Sequence, residues 1–431
     1  MQIEEKARLA RYASIRMAVL ASEKKEQALK AIAQALRNKE RDIVSANQAD
    51  LAQAEKDNLP EVLIKRLKFG KEKLEEAIAG IEKLIELPDP VGKTLSCTEL
   101  DTDLELYKVS CPIGVLGVIF ESRPDALVQI STLALKSGNV VLLKGGSEAA
   151  HSNRTLTDIV GEANEGVGLP SGWIQMLETR QDVRVLLELD DYIDLVIPRG
   201  SNAFVKYIMD NTRIPVLGHA DGICHVYIDV QADMAKALRV AFDAKCQYPA
   251  VCNAMETMLV DKKIAPEFLP LIQGRLKEAG VELRGDKETR RIIECNAARE
   301  EDWRTEYNDL ILAIRVVDGV DQAIEHINTY GSHHTDAIIT EDEQKARKFL
   351  DLVDSADVFW NCSTRFSDGY RYGLGAEVGI STNKIHARGP VGLEGLVIYK
   401  WILIGDGHTV EEYSGRDAKK FRHLPKDKSY R

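Results

Sequence analysis

Residues 114–144 read GVLGVIFESRPDALVQISTLALKSGNVVLLK, and this stretch decides the fold. Its first part, GVLGVIF at 114–120, is a short apolar run typical of a buried strand, and VVLLK at 140–144 is a second such run. Between them the apolar spacing predicts a helix over 125–136, with Gly138 as its stop signal. A strand, a helix and a strand in this order predict a βαβ unit with parallel strands.

The same alternation continues toward the C-terminus. WIQML at 173–177, IDLVIP at 193–198 and HVYID at 225–229 predict further strands of an open, mostly parallel sheet. From about residue 232 a second α/β set follows, with predicted strands ETMLVD at 256–261 and LILAIRVV at 310–317. We therefore expect two open parallel α/β domains, each with helices on the faces of its sheet.

Three further segments lie outside these two sheets. Residues up to Leu87 have the apolar spacing of amphipathic helices, which we expect to pack outside a sheet. LELYKV at 104–109 and GLVIYKWILIG at 395–405 are rich in strand formers and far apart in sequence. We expect these two to pair as a projecting arm.

Composition excludes several classes of function. The chain has 431 residues and a net charge of -11, from 68 acidic and 57 basic residues, which disfavours nucleic acid and anionic membranes as partners. The basic end at 419–431 is interpreted as a solvated terminus. No apolar run has the length of a membrane span, and the N-terminus lacks the apolar core of a signal peptide. Seven cysteines without a CxxC pair predict a reducing, cytoplasmic location and no structural metal.

Cys252, in the segment YPAVCNA at 248–254, is the candidate nucleophile. Pro249 keeps the preceding residue out of the helical region, so the cysteine is expected in a loop just after the helical stretch 234–244. A thiol in a loop is accessible to a substrate. The alternative is a small buried side chain, since free cysteines are among the most buried residues.

Two glycine-containing turns follow predicted strands. KGGSEAAH at 144–151 ends one strand and opens a helix, where backbone N–H groups and the helix dipole can hold phosphate. A second turn follows at Arg199, Gly200 and Ser201. Two such turns favour a dinucleotide, although the first departs from the GxGxxG fingerprint and an ordinary strand-to-helix turn remains the alternative.

Three polar segments complete the candidate site. IFESRPDA at 119–126 offers Ser122 as a donor, Arg123 as a cation and Asp125 as a helix cap. The segment from His326 through NTYGSHHTDAI has no cysteine or carboxylate at ligand spacing, so a polar loop is favoured over a metal site. STRFSDGYRYGLGAEVGIST at 363–382 is typical of a binding loop, with a surface connection as the alternative.

Together these segments resemble the aldehyde dehydrogenase superfamily, and within it the enzymes that reduce an acyl phosphate. The resemblance is carried, in the expected order along nearly the whole chain, by IGVLGVIFESRPDA, LLKGGSEAAHSN, DLVIPRGS, YPAVCNA, the histidine segment with its spacing from Val317 to Ile338, and RFSDGYRYGLGAEVGIS with ARGPVGLEGL. It implies a cofactor-binding domain at 1–98 and 111–230, a catalytic domain at 231–365, an oligomerisation arm at 99–110 and 393–408, and at 366–392 a segment that returns to the cofactor-binding domain and carries an active-site loop.

The resemblance also assigns roles to individual residues. Cys252 becomes the nucleophile, and the cofactor is expected to be NADPH or NADP, with NAD less favoured because Ser147 or Glu148 could occupy the place of a ribose-binding glutamate. The implied cofactor ligands are Lys144 at the adenosine ribose or its phosphate, Gly146 and Ser147 in the same turn, Gly200 and Ser201 at the diphosphate, and Glu306 at the nicotinamide ribose. The candidates for the oxyanion site or the charged groups of the substrate are Ser122, Arg123, Asn253, Arg365, Asp368, Arg371 and Glu377.

Two departures from the hydrolytic members of the superfamily bear on the reaction. Those enzymes carry a glutamate that activates water, whereas this chain has Val216 at that place. Thioester hydrolysis needs such a base and exchange with phosphate does not, so the absence favours an acyl-phosphate reaction. The oxyanion-site asparagine of the relatives is replaced near Ser122, which leaves the backbone N–H of Cys252 as the surest donor.

The expected activity is therefore reversible, NADPH-dependent reduction of L-glutamyl 5-phosphate to L-glutamate 5-semialdehyde through a cysteine thioester, the second step of proline biosynthesis. A homo-oligomer is expected from the arm, and glutamate kinase is a candidate partner. The alternatives are a hydrolytic NAD-dependent aldehyde dehydrogenase and, from a different class, an oligomeric scaffold that kept the fold without the chemistry.

Overall fold

The computed structural model describes residues 2–219 and 221–430. Internal contacts divide the chain into two compact units, each of which is built from separate stretches of sequence. Unit 1 comprises Met1–Gly200, Ile208–Leu217 and Val391–Arg431, and unit 2 comprises Ser201–Tyr207 and Gly218–Pro390.

The regular elements are numbered in chain order. The α-helices are α1 Ile3–Met17, α2 Ser22–Asn38, α3 Glu40–Lys56, α4 Glu61–Leu67, α5 Lys71–Glu86, α6 Pro124–Lys136, α7 Ala150–Glu165, α8 Arg180–Glu188, α9 Asn202–Asp210, α10 Met234–Cys246, α11 Ala265–Glu278, α12 Thr289–Ile292, α13 Val320–Tyr330 and α14 Glu343–Leu352. The strands are β1 Thr94–Asp101, β2 Leu104–Pro112, β3 Val115–Phe120, β4 Val140–Gly145, β5 Ile174–Met176, β6 Leu195–Arg199, β7 Cys224–Ile228, β8 Met255–Asp261, β9 Glu282–Gly285, β10 Asn296–Ala297, β11 Ile311–Val317, β12 Thr335–Ile339, β13 Asp357–Trp360, β14 Gly379–Ser381, β15 Gly389–Val391, β16 Val397–Ile404 and β17 Leu424–Lys426.

The parallel sheet of unit 1 has the order β5-β4-β3-β6. The predicted βαβ unit is confirmed, because β3 and β4 are fully buried, pair in parallel and are joined by α6. Gly138 ends the connection with a φ of 71°, a left-handed conformation that glycine adopts without steric cost. The buried strands account for the continuous apolar runs of the sequence, since both faces of such a sheet are covered.

The arm is an antiparallel sheet of order β16-β2-β1-β17, within unit 1. The predicted pairing of its two apolar segments is confirmed by the register, which runs from Val397 opposite Pro112 to Ile404 opposite Glu105. The basic end is exposed to solvent, as expected, but it is not a free terminus, because β17 pairs with β1 and Lys428 Nζ donates to Glu105 Oε2 at 2.6 Å. Strand pairing and this acidic partner hold the end against the sheet.

Unit 2 contains a seven-stranded parallel sheet of order β10-β9-β11-β8-β7-β12-β13. The prediction that HVYID continues the first sheet is wrong, because β7 pairs with β8 on one side and β12 on the other. Apolar side chains of β7 such as Val226 and Ile228 pack with Met258 of β8 in the core of this unit. The sequence predicts the strand itself, but its neighbours come from residues far along the chain.

The limits of the compact units differ from the predicted domain limits. Residues 218–230 lie in unit 2 with β7, and so do residues 366–390. The latter segment is held there by contacts such as the one between Asn253 Nδ2 and the Ser367 carbonyl oxygen, at 2.7 Å. No α-helix in the described part of the chain combines the length and apolar character needed to cross a bilayer.

Candidate active site

Cys252 lies in unit 2 in an irregular segment between α10 and β8, as predicted from Pro249. Asp233 begins α10 by accepting a hydrogen bond from the backbone N–H of Lys236 at 2.7 Å, and the helix ends at Cys246. The segment then forms a turn, in which the Ala254 N–H donates to the Val251 carbonyl oxygen at 2.9 Å. Cys252 lies within this turn, just before β8 begins at Met255. The thiol side chain is partly buried and is not a packed core residue.

Gly222 and Cys224 fix the backbone of the nucleophile. A Cβ atom on Gly222 would lie 2.2 Å from the carbonyl oxygen of Cys252 and 2.5 Å from its Cα, closer than real Cβ atoms come. The Cys224 thiol donates a hydrogen bond to the same carbonyl oxygen at 3.2 Å. The amino end of β7 thus positions the segment that leads into β8, and only glycine fits at residue 222.

The environment of Cys252 favours the neutral thiol. Burial raises its pKa to about 12, and the negative charges of Glu306 and Glu377 act in the same direction. The positive charge of Arg365 opposes them and lowers the pKa. Because the thiolate is the reactive form, the proton has to leave as a substrate engages the site.

Two histidines lie beside the thiol, and sequence reasoning missed this cluster. One ring nitrogen of His219, one of His334 and the Cys252 sulfur all lie within 4.8 Å of one another. His334 immediately precedes β12 and is fully buried, and burial, followed by the charge of His219, lowers its pKa well below the usual range. The paired histidines at 333–334 were a signal in the sequence, but their neighbour Cys252 is far away along the chain.

His326, the first of the three histidines of the polar segment, has a structural role. His326 on α13 is buried, its ring packs against His225 and Trp303, and Arg315 Nη1 lies 2.8 Å from its Nδ1. Burial lowers the pKa of His326 to about 2, so the ring is neutral. The residues from 326 to 338 therefore divide between the core and the vicinity of the thiol.

Among the predicted substrate-binding side chains of unit 2, Arg365 is the cation whose charge reaches Cys252. It is 8% exposed and its Nε donates to Gln247 Oε1 at 3.0 Å. Burial lowers the pKa of this guanidinium, and the neighbouring charge of Arg371 adds to the effect. An anionic group of a substrate would relieve both, so Arg365 is suited to a carboxylate or a phosphate.

The other candidates in unit 2 already have partners in the protein. Asp368 and Arg371 form an ion pair with 3.5 Å between Oδ2 and Nη1. Glu377 Oε2 accepts the Gly369 N–H at 2.7 Å, which holds the loop that contains both. Asn253 uses its Nδ2 on Ser367, while its Oδ1 is buried without a partner among the described residues. Their roles toward a substrate stay predictions.

Glu306 precedes β11 and contacts Asn202, whose Nδ2 donates to Glu306 Oε2 and, at 3.1 Å, to Asp221 Oδ1. Ser201 directly precedes Asn202, the first residue of α9. Its carbonyl oxygen accepts hydrogen bonds from the N–H groups of Phe204 and Val205 at 2.9 and 3.0 Å. The predicted ribose ligand and the predicted turn residue thus belong to one hydrogen-bonded region of unit 2.

In unit 1, the predicted strand-to-helix turn is confirmed. β4 ends at Gly145, a short 3-10 turn covers Ser147–Ala149, and α7 begins at Ala150. Lys144 is buried and its Nζ donates to the carbonyl of Gly145. Asn153 on α7 has neither side-chain polar atom bonded among the described residues, and a Cβ on Gly145 would come within 2.1 Å of its Nδ2.

These features fit a dinucleotide cofactor. Buried polar atoms without protein partners mark places where a ligand can bond, and the turn presents Lys144 and the backbone of Gly146 and Ser147 at the end of a strand. Gly200 directly follows β6, which is separated from β4 by β3 in the same sheet. Asn153 is a further candidate that sequence reasoning missed, although it belongs to the quoted segment LLKGGSEAAHSN.

Ser122 and its neighbours lie at the end of β3, also in unit 1. Ser122 has a φ of 48°, and its N–H and Oγ donate to Glu148 Oε1 at 2.6 and 2.8 Å. The expected capping role of Asp125 is wrong: its Oδ2 binds Arg123 Nη2 at 2.8 Å, and no side chain caps α6. The helix begins at Pro124, so Asp125 lies inside its first turn and not at the N-cap position, and Asp125 Oδ1 has no partner among the described residues.

Val216 stands where hydrolytic members of the superfamily have the glutamate that activates water. Val216 is buried in unit 1 and forms an isolated bridge with Val196 of β6. A side chain of this kind cannot activate water.

The comparisons with known proteins agree with this architecture. A model of the aldehyde dehydrogenase family matches residues 1–300, and the chain belongs to that family. More particularly, it is similar to proteins named gamma-glutamyl phosphate reductase. The one from Pelotomaculum thermopropionicum is 61% identical over 430 residues, which cover 100% of this chain and 99% of the relative. The one from Methanococcoides burtonii is 55% identical over 99% of this chain and 97% of its own length.

A solved structure supports the same relationship. The crystal structure of gamma-glutamyl phosphate reductase from Thermotoga maritima matches with a TM-score of 0.93 and 42% identity. The match covers 95% of this chain and 100% of the other. The predicted fold class is therefore confirmed.

Proposed function

We propose that the protein reduces L-glutamyl 5-phosphate to L-glutamate 5-semialdehyde and releases inorganic phosphate, with NADPH as the reductant. The observation that carries the proposal is a positioned thiol, Cys252, in a chain with full-length similarity to gamma-glutamyl phosphate reductases. The reaction would be reversible, and it would form the second step of proline biosynthesis.

In the first step, the thiol loses its proton and the Cys252 sulfur attacks the acyl carbon of the substrate. The carbon–oxygen bond to phosphate breaks, phosphate leaves as an anion, and a thioester remains on Cys252. Phosphate needs no proton to leave, so no general acid is required. Arg365 would hold an anionic group of the substrate, because its buried guanidinium acts electrostatically on the same thiol.

The oxyanion of the tetrahedral intermediate needs preorganised donors. Both donors of Ser122 bond Glu148, and the side-chain amide of Asn253 bonds the Ser367 carbonyl. We therefore assign the backbone N–H of Cys252 as the donor to the oxyanion. Asn253 would contribute only if it released Ser367.

NADPH, when bound, would supply the hydride that reduces the thioester to the thiohemiacetal, from which the aldehyde is released. In unit 1, the proposed cofactor ligands are Lys144, Gly146, Ser147 and Gly200. In unit 2, the resemblance assigns this role to Ser201 and Glu306. The buried Lys144 ammonium suits a phosphate group, which supports NADPH over NADH.

The rival reaction is hydrolysis of the thioester by water, as in NAD-dependent aldehyde dehydrogenases. It would need a general base, and residue 216 is a buried valine. The experiment that separates the two runs the reaction backward, with glutamate 5-semialdehyde and NADP, with and without inorganic phosphate. Phosphate-dependent formation of NADPH supports the proposal, and phosphate-independent formation indicates hydrolysis. No reduction by a correctly folded sample would favour a non-catalytic scaffold.

We also propose that the arm forms a homo-oligomer. Strand β16 exposes large apolar side chains, with Trp401 and Leu403 both 56% exposed. Such side chains on a strand at the edge of its sheet favour burial against another copy of the chain. Light scattering on the purified protein tests this, and Trp401→Lys with Leu403→Lys should shift the mass toward the monomer.

Two further assignments follow from the same activity. A cytoplasmic location is supported by the seven cysteines, all of which are free thiols. A glutamate kinase would supply the labile acyl phosphate, and a coupled assay with a diffusion trap for that intermediate would test whether the two enzymes interact.

A further inference from the structure

The cluster of His219, Cys252 and His334 has a donor set that the proposed reaction does not require. Each residue offers one ligand atom, and these atoms all lie within 4.8 Å of one another. The three residues precede the parallel strands β7, β8 and β12, which are neighbours in the sheet of unit 2. The fold thus assembles a thiol and two imidazoles from segments that are far apart in sequence.

The two imidazoles are held in the manner of metal ligands. His219 Nδ1 lies 3.1 Å from the carbonyl oxygen of Ile380, and a carbonyl only accepts, so Nδ1 carries the proton and Nε2 has the lone pair. His334 Nδ1 lies 2.8 Å from Thr335 Oγ1. Metal-binding histidines use their second nitrogen on just such carbonyl or side-chain oxygens, which orients the ring.

His334 adds an independent sign of a ligand. Its ring is fully buried, and its Nε2 has no hydrogen-bond partner in the part of the chain that the structure describes. A buried polar atom without a hydrogen-bond partner destabilises the folded state, so a ring nitrogen of the cluster left in this condition calls for an explanation. A metal ion bound to the lone pair would supply one.

The surrounding charge also favours a cation. The carboxylates of Glu306 and Glu377 both act electrostatically on Cys252, and the charge of Arg365 opposes them. A dication would therefore meet a net negative potential from these three groups. The same potential disfavours a bare thiolate.

We propose that His219, Cys252 and His334 form a Zn²⁺ site that reversibly blocks the nucleophile. One thiolate and two imidazoles are a ligand set that zinc prefers, with a fourth position open to water or an anion. Tetrahedral Zn–S and Zn–N bonds place ligand atoms about 3.5 Å apart, so the ligand atoms, now within 4.8 Å of one another, have to approach by about 1.3 Å at most. Binding displaces the thiol proton to solvent and forms the Zn–S bond, and no oxidation or reduction occurs.

The site itself is independent of the proposed function, and only its inhibitory effect rests on that function. While zinc holds the sulfur, Cys252 cannot attack an acyl carbon. Removal of the ion by a chelator should restore the thiol. The protein would then respond to zinc excess by losing turnover without unfolding.

The test uses the full chain, treated with a chelator and titrated with Co²⁺ as a spectroscopic substitute for Zn²⁺. We expect one equivalent to bind with a thiolate-to-cobalt charge-transfer band and the visible bands of tetrahedral cobalt, and Zn²⁺ should displace it. Cys252→Ser should abolish the charge-transfer band. His334→Asn and His219→Asn, made as separate variants, should each weaken cobalt binding roughly 100-fold. Loss of a residue that only contacts a metal ligand already weakens metal binding about 10- to 100-fold, and loss of a ligand itself should cost at least the upper value.

The matched control is His333→Asn. His333 adjoins the cluster in sequence, but its Nδ1 contacts the Asp354 carbonyl at 2.6 Å, and its φ of 60° is one that asparagine accepts. This variant should bind cobalt like the parent. The His219 variant keeps the test valid if the buried His334 variant fails to fold.

A second readout separates this inference from the proposed function. The rate of alkylation of Cys252 can be followed by mass spectrometry of the proteolytic peptide that contains this residue. The rate should fall at least about tenfold with Zn²⁺ present, because the coordinated sulfur cannot react. The assay needs no substrate, so a failure of phosphate-dependent turnover would leave it unaffected. Absence of stoichiometric cobalt binding, or a charge-transfer band that survives in Cys252→Ser, would overturn the zinc site.

Discussion

Unit 1 and unit 2 place their candidate functional residues at opposite ends of their parallel strands. In unit 1, Ser122, Lys144 and Gly200 lie at or just after the carboxyl ends of β3, β4 and β6, where ligands of open α/β sheets usually bind. In unit 2, Cys252 and His334 precede the amino ends of β8 and β12. The rule that ligands bind at the carboxyl ends of the strands therefore holds for the candidate residues of unit 1 but not for Cys252 and His334 of unit 2.

The two ends also differ in how they are assembled. The turn after β4 consists of consecutive residues that form a recognisable motif. The surroundings of Cys252 come from segments near residues 222, 252 and 334, joined by contacts such as the Cys224 thiol on the Cys252 carbonyl. A site made of consecutive residues can be predicted from the sequence. A site made of segments far apart in sequence can be predicted only when the order of the strands in the sheet is known. Substitutions in the two units should consequently have separable effects.

The largest effect is expected from Cys252→Ala. Turnover should fall at least about 10⁴-fold, the scale seen when a covalent nucleophile is removed, while NADPH binding through unit 1 is retained. Steady-state rates and fluorescence titration of the cofactor measure the two quantities. Cys246→Ala, at a partly buried thiol on α10, is the matched control and should keep activity. Residual activity near that of the control would remove Cys252 from the mechanism.

Gly222→Ala should have the next largest effect. The added methyl would overlap the backbone of Cys252, at 2.2 Å from its carbonyl oxygen, and displace the nucleophile. A displacement of about 1 Å can cost about 100-fold in kcat, and a loss of this size is expected with cofactor affinity unchanged. Rates at saturating substrate and cofactor measure it.

The control is the same substitution in open space. A methyl group added at Gly274 on α11 would have no heavy atom within 4 Å beyond its own helix backbone and chain neighbours. Gly274→Ala should therefore keep full activity and gain about 0.5–1 kcal/mol of stability from its better helix propensity. If Gly222→Ala were as active as this control, the close contact between the amino ends of β7 and β8 would not position the thiol.

Much of the fold followed from local pattern. The apolar runs at β3 and β4, the stop at Gly138 and the pairing of β2 with β16 are direct consequences of burial and strand propensity. The assignment of β7 to the first sheet failed because periodicity identifies a strand but not its neighbours. The strand pairing of the exposed tail was missed for a similar reason, since β17 is short and its partner β1 lies far away along the chain.

The candidate site was predictable to the same degree. Cys252 and the turn at Lys144 carry local signals, namely Pro249 beside the thiol and glycines after a strand. The role of Gly222 and the proximity of His334 to Cys252 had no local signal, because each depends on which strands are adjacent. Capping by Asp125 was a local prediction that failed because α6 begins one residue earlier, at Pro124, which makes Arg123 the N-cap residue.

An intermediate effect, confined to cofactor binding, is expected from Lys144→Met. Loss of a charged hydrogen bond costs about 1.5–3 kcal/mol, so the KM for NADPH should rise roughly 10- to 100-fold while kcat at saturating cofactor is kept. Lys83→Met, at an exposed lysine of α5, is the control for the lost charge. An unchanged KM would show that the carboxyl end of β4 does not hold the cofactor. The assignment of cofactor binding to the carboxyl ends of the strands of unit 1 would then be wrong.

The smallest effect concerns stability rather than rate, and it arises in unit 2. Glu256 of β8 is fully buried, with Lys245 Nζ at 2.6 Å from its Oε2. Burial raises the pKa of Glu256 to about 7, although Lys245 lowers it. The folded state therefore binds a proton that the unfolded state, with a pKa near 4.5, has lost. This stabilisation is fully present below about pH 4.5 and is lost as the pH rises through about 7.

Glu256→Gln removes that titration, so the pH dependence of its difference from the parent is the quantity to measure. The variant replaces a carboxyl group that is neutral in this pH range by a neutral amide, whose oxygen can still accept from Lys245. Any stability deficit of the variant should therefore shrink between about pH 5 and pH 7, by up to about 1.4 kcal/mol per pH unit, because only the parent loses a proton on unfolding. Thermal melts across this range measure the difference, with Glu267→Gln on α11 as an exposed control. A deficit that stays constant would mean that Glu256 remains ionised beside Lys245, and that the interior behind Cys252 tolerates a full ion pair.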